Sequence, residues 1–180
     1  MSIMKNKLIL ITGGARSGKS SFAQKIADAI EGRKVFLATA EALDEEMKSR
    51  IEIHKKERPS GWATIEETKH LSKALMTCNG KFEVILIDCL TMWISNLLAN
   101  DTFDESQILK ELKRFISSCR EIKGTVILVA NEVGLGIVPA NRLARIFRDI
   151  AGKANQEIAA VADDVYFVVA GIPLKLKGGD

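Results

Sequence analysis

Proline and cysteine are scarce, with three of each in 180 residues, and aromatic residues make up only 6%. The cysteines, Cys78, Cys89 and Cys119, are widely spaced, odd in number and free of any Cys-x-x-Cys pair. That excludes a disulfide framework or a zinc cage as the organising principle and reads as reduced thiols. The prolines, at 59, 139 and 173, each fall at or beside an expected element boundary. No apolar stretch approaches the ~18 residues that a membrane-spanning helix needs. The first seven residues carry no long apolar core before a cleavage site, so no secretory leader is expected. An excess of one charge is also missing. With 26 basic and 23 acidic residues the net charge is +3, and no block of like charge stands out. Nothing there suggests a nucleic-acid partner. What is present is 47% apolar and 27% charged, an ordinary globular balance, with no linker, repeat or low-complexity segment. One domain over 1–180, cytoplasmic and soluble, is the expectation.

The strongest signal lies at residues 13–20, Gly-Gly-Ala-Arg-Ser-Gly-Lys-Ser. This is a complete G-x-x-x-x-G-K-[ST] loop, set between the apolar run Leu8-Ile9-Leu10-Ile11-Thr12 and a helical pattern over 20–30. Gly13, Gly14 and Gly18 let the backbone curl so that the amides of Ala15, Arg16, Ser17 and their neighbours can point at an anion. The following helix adds its N-terminal partial charge to the same place. Lys19 would reach the β- and γ-phosphates, and the Ser20 hydroxyl would hold Mg²⁺. The chain is therefore expected to bind nucleoside triphosphates.

Strand-length apolar runs recur at 34–38, 62–66, 82–87, 125–130 and 165–169. Their continuous Val/Ile/Leu character suits strands covered on both faces. Helical patterns fill the intervals at 43–58, 70–78, 90–100, 104–122 and 141–163. The last is clearest, with Leu143, Ile146, Phe147, Ile150, Ala154, Ile158 and Val161 on one stripe. Alternating β and α after a phosphate loop predicts an α/β fold of the P-loop NTPase type. Its sheet would be doubly wound and mostly parallel, with helices on both faces. Val84-Ile85-Leu86-Ile87-Asp88 has the form of a Walker B strand. Its carboxylate, on a strand expected beside the first, would hold Mg²⁺ with Ser20. Thr91 is expected to cap the helix that follows, and Trp93 and Ile94 to be core before interface.

A phosphate loop does not say what is done with the phosphates. Further motifs do: Ala38-Thr39-Ala40, His54-Lys55-x-x-Arg58-Pro59, Asp88-Cys89-Leu90-Thr91, Asn131-Glu132-Val133-Gly134, and Ala151-Gly152-x-x-Asn155-Gln156. With these, from Thr12 almost to Lys175, the sequence resembles the bifunctional adenosylcobinamide kinase/adenosylcobinamide-phosphate guanylyltransferases of cobalamin biosynthesis.

That resemblance implies a two-step enzyme with GTP and ATP as substrates and Mg²⁺ as cofactor. It would phosphorylate adenosylcobinamide, then pass GMP from GTP through a covalent histidine intermediate to adenosylcobinamide phosphate. His54 stands at the position of that histidine. A neutral imidazole is a good nucleophile near pH 7, and Arg50 and Arg58 on the same helical face would keep it uncharged. The resemblance further implies that Thr39, Ala40, Glu41, Lys55, Lys56, Glu57, Arg58 and Glu66 help hold the guanine nucleotide. It puts Asp88 where some relatives carry Glu, and it makes a symmetric homo-oligomer, such as a trimer, plausible. The 131–139 segment is expected to meet the corrinoid. The residues identify no base for the kinase step beyond a carboxylate near the loop, such as Asp88. Two alternatives stand beside this reading: a P-loop small-molecule kinase with no covalent intermediate, and a non-catalytic P-loop NTP switch.

Overall fold

The computed structural model describes residues 6–41, 45, 48–49, 51–52, 55, 60–99 and 103–179. In chain order its elements are β1 (Lys7–Gly13), α1 (Lys19–Asp28), β2 (Lys34–Ala38), β3 (Ala63–Glu66), α2 (Leu71–Cys78), β4 (Val84–Asp88) and α3 (Leu90–Leu98). There follow α4 (Glu105–Glu121), β5 (Thr125–Asn131), α5 (Arg142–Val161), β6 (Asp164–Val169) and β7 (Ile172–Lys177). Glu45, Lys48, Ser49, Ile51, Glu52 and Lys55 are helical, as expected for the 43–58 segment where it is described.

The strands form one seven-stranded sheet in the order β3-β2-β4-β5-β1-β6-β7. Every neighbouring pair is parallel except β6 with β7. One expectation is corrected here. The Asp88 strand does not lie beside β1, because β5 is inserted between them and pairs with both. Pro173 is the second residue of β7, beside the boundary where that strand starts, and lies opposite Val168 on the sheet edge, where a missing N–H is tolerated.

Side-chain alternation along each central strand feeds two cores. Leu8 and Leu10 of β1, Val35 and Leu37 of β2, and Ile85 and Ile87 of β4 face one side. There α2, α3, α4 and α5 cover them with Leu75, Trp93, Phe115 and Ile158, all buried. Trp93 and Phe115 pack with ring centroids 5.4 Å apart and planes tilted by 47°, and the Trp93 indole donates to Lys69 O at 2.8 Å. Ile9, Ile11, Val84, Leu86, Ile127 and Val129 face the other side, where α1 contributes Ala23 and Ala27. The small residues bring α1 close to the sheet directly behind the phosphate loop. Helix starts are set locally. Asp104 and Gln107 form a reciprocal capping box, and Asn141 accepts from Leu143 N at 2.7 Å.

Candidate functional site

Because the strands run parallel, the ends of β1, β2, β3, β4 and β5 all open on one edge of the sheet, where ligands bind in open α/β folds. At the centre of that edge Gly13 leaves β1 with φ 154°. A Cβ there would meet Val168 O at 2.4 Å, so the close approach of β6 requires glycine. Gly18, at φ 95°, turns the chain into α1, and a Cβ on it would meet Gly171 Cα at 3.2 Å. Ser17 O accepts from Gly171 N at 2.8 Å. The tight turn between β6 and β7 is thus bonded to the back of the phosphate loop, a brace that the sequence reading did not anticipate.

Lys19 is buried, and its ammonium donates to Gly14 O at 2.6 Å. Burial holds its pKa below the usual lysine value, opposed by the negative charge of Asp88. Asp88, half-buried at the end of β4, therefore acts electrostatically on the loop across the width of β5. Ser17 Oγ is buried with no hydrogen-bond partner among the described residues, an orphan that suits a phosphate oxygen. Arg16 is exposed at φ 56°, and Ser20 is half-buried in the first turn of α1.

The peptide after Asp88 is held from within. The fully buried Thr39 hydroxyl donates to Cys89 O and accepts from Cys89 N, both at 2.7 Å. Asn96 Nδ2 donates to Thr39 O at 2.7 Å and to Thr68 O at 3.1 Å, tying the ends of β2 and β3 to α3. The hydroxyl of Thr39 is thereby committed, leaving Ala40 and Glu41 as the half-buried groups beyond β2. Thr91 does not cap α3, contrary to expectation. Its hydroxyl accepts from Asn131 N at 2.8 Å and so joins α3 to the end of β5. Neither Asn96 nor the Thr91–Asn131 bond has a local sequence signal, since both act between distant elements.

At the outer end of the edge, Lys55 and Glu66 form an ion pair at 2.6 Å, which brings together two of the residues expected to hold nucleotide. His54, Lys56, Glu57 and Arg58 lie outside the described residues. His70 starts α2 on the surface, with its amide on Glu67 Oε1 at 2.8 Å. Glu132, just past β5, donates from its amide to Gly13 O at 2.8 Å. Beyond it Leu135, Ile137 and Val138 are 80%, 96% and 61% exposed. A separate groove, lined by Lys7, Ile26, Thr125, Asp164 and Tyr166, sits at the opposite end of the strands. Its two charged groups, Lys7 and Asp164, satisfy each other at 2.5 Å, and it is remote from the phosphate loop.

The arrangement can bind a triphosphate and stabilise charge on its β/γ side. No helix among the described residues is long and apolar enough to cross a membrane. Residues 9–176 match the family described as cobinamide kinase / cobinamide phosphate guanyltransferase. The chain is 43% identical to the bifunctional adenosylcobalamin biosynthesis protein CobU of Escherichia coli K12, over 94% of this chain and 99% of that protein. It is 44% identical to CobU of Salmonella typhimurium LT2, with the same shares covered. A third similar protein is CobP of Pseudomonas aeruginosa PAO1, at 44% identity over 94% of this chain and 96% of that one.

Proposed function

Because this chain belongs to the cobinamide kinase / cobinamide phosphate guanyltransferase family, we propose that its phosphate loop serves two successive transfers on one corrinoid. The enzyme phosphorylates the hydroxyl of adenosylcobinamide with ATP or GTP, then delivers GMP from GTP to the new phosphate through a covalent bond to His54. The observation that carries this reading is likeness at 43–44% identity over nearly the whole length of both chains, joined to a formed phosphate loop.

Gly13, Gly14, Ala15, Arg16, Ser17 and Gly18 would cradle the phosphates, with the orphan Ser17 Oγ as one further donor. Lys19 exchanges its bond to Gly14 O for phosphate oxygens and neutralises the charge that develops as diphosphate or pyrophosphate leaves. Ala40, Glu41, Lys55, Lys56, Glu57, Arg58 and Glu66 hold the guanine nucleotide in this reading, and Thr39 shapes that wall from inside. Ser20 and Asp88 offer hard oxygen donors for Mg²⁺. No group of three His, Cys, Asp or Glu residues among the described residues could hold a metal unaided. An ion held at Ser20 and Asp88 would be bound by one or two side chains together with phosphate and water. When present, the ion would spread the negative charge of the phosphate oxygens.

A cytoplasmic location and a homo-oligomer, such as a trimer, belong to the same proposal. Ile172, Leu174 and Leu176 along the edge strand β7 are more than half exposed and would be covered by such an assembly.

The experiment is covalent labelling. The protein is incubated with Mg²⁺ and GTP labelled at the α-phosphate, denatured, and counted, with γ-labelled GTP and His54→Ala as controls. Acid-labile, alkali-stable α-label that disappears in His54→Ala is the expected result. Tight GTP binding without α-label would leave only a kinase.

A further inference from the structure

The first of the two transfers poses a chemical demand that the second does not. Its acceptor is an alcohol, which must lose a proton as the phosphorus–oxygen bond forms. The acceptor of the second transfer is a phosphate monoester, already anionic at neutral pH because its second pKa is about 6. A general base is therefore needed for phosphorylation alone. We infer that Glu132 is that base.

Position is the first argument. β5 is the strand inserted between the phosphate-loop strand and the Asp88 strand. Gly13 is in register with Asn131, and the next residue, Glu132, is bonded through its amide to Gly13 O at 2.8 Å. Glu132 is thus fixed one residue beyond the sheet, against the start of the loop. Its Oε1 accepts from Gly134 N at 2.6 Å, which steadies the carboxylate on its own turn. The second argument is what lies beyond it. The apolar side chains of Leu135, Ile137 and Val138 are exposed on the same loop, and Leu143 at the start of α5 is 56% exposed. A large, partly apolar acceptor lying on these side chains would bring its hydroxyl past Glu132 to reach the γ-phosphate.

Among the described residues, the other carboxylates at this edge are engaged elsewhere or set apart from the loop. Asp88 acts on Lys19 and is the proposed metal donor. Glu66 is paired with Lys55. Glu67 accepts from the amides of Lys69 and His70. Glu41 follows β2, separated from β1 by both β4 and β5.

In the step itself, the acceptor oxygen forms a bond to the γ-phosphorus while its proton passes to the Glu132 carboxylate. The bond from the γ-phosphorus to the β–γ bridging oxygen breaks, and that electron pair leaves on the nucleoside diphosphate.

The inference rests on the two-transfer reading above, and the test separates the two. Glu132→Gln keeps an Oε1 acceptor for Gly134 N but cannot take a proton. Kinase turnover on adenosylcobinamide is expected to fall about 100-fold or more, the usual contribution of a positioned base. Nucleotide KM, α-labelling by GTP and GMP transfer to pre-phosphorylated acceptor should stay within about 3-fold of the parent. Kinase turnover that survives the substitution, or equal loss of both transfers, would overturn the assignment. Should Glu132→Gln not fold, Glu132→Asp replaces it, and the same selective loss of the kinase half is required. A parent protein that phosphorylates no corrinoid would instead sink the two-transfer reading.

Discussion

The ammonium of Lys19 and the carbonyl oxygen of Gly14 lie 2.6 Å apart, so the phosphate loop is bridged by its own lysine. The bridge sets the cation against the loop backbone, where Gly14 O also accepts from Ser17 N at 3.3 Å. It also means that a buried charge is held by a single neutral acceptor and the distant field of Asp88.

Such a charge costs stability. The folded pKa of Lys19 lies below its ordinary value of 10.5, so between the two values the unfolded chain binds more protons and stability rises with pH. Below both values, where the lysine is protonated folded and unfolded, the penalty is present in full. Lys19→Met should therefore raise the melting temperature of the nucleotide-free protein. It should also abolish the further rise that GTP–Mg²⁺ gives the parent. Thermal melts of both proteins, with and without nucleotide, check this, and a lower Tm in the nucleotide-free variant would contradict it.

Thr39→Val keeps the shape of a fully buried side chain and removes both bonds to Cys89. The buried Cys89 N–H is left without its acceptor while Cys89 O keeps only Trp93 N, at a cost of about 1–3 kcal/mol. Denaturant unfolding should show that loss. Because Cys89 follows Asp88 directly, both transfers should weaken as well. Unchanged stability would mean that water replaces the hydroxyl.

Lys55 and Glu66 are 46% and 58% exposed, so their 2.6 Å ion pair is worth no more than about 1 kcal/mol. Lys55→Ala should leave the melting temperature nearly unchanged but raise the KM for GTP about 10-fold through a lost phosphate or ribose contact. Steady-state kinetics with GTP varied would show it. A large thermal effect with unchanged KM would make the pair structural.

The thiols should be inert in the folded protein. Burial pushes the Cys89 thiol up to about 11, and it raises Cys78 and Cys119 as well. All three therefore remain protonated and non-nucleophilic at pH 8. Iodoacetamide should modify none of them natively and all of them in guanidinium. Rapid native alkylation of Cys89 would show that the Thr39–Asn96 framework opens.

Much of this could be read in advance where a signal is local. The loop at 13–20 is legible because its spacing is fixed by the phosphate it wraps, and β1 because Leu8 to Ile11 are apolar on both faces. The fold class followed from alternation, but the strand order did not. Nothing in the composition of Thr125–Asn131 says that it inserts between β1 and β4, since parallel neighbours are joined only through helices. β7 escaped notice because all six of its residues are exposed and it contains Pro173. It exists as a partner for the edge of β6, not as part of a core. Thr91 was misread for a similar reason. Its position favours a cap, but its hydroxyl serves Asn131, which is distant in sequence and visible only once the sheet is built.

The bond from Gly171 to Ser17 has a consequence for how the protein comes into being. β1 emerges early in synthesis, yet its two sheet neighbours, β5 and β6, and the hairpin turn that braces its loop are all made late. A growing chain on the ribosome therefore carries the whole phosphate-binding motif with nothing to hold it in shape. Such non-local pairing is slow to form. Unfinished or truncated chains should then take up no GTP, and the nucleotide would act as a late clamp on a molecule already folded, not as a template around which it folds.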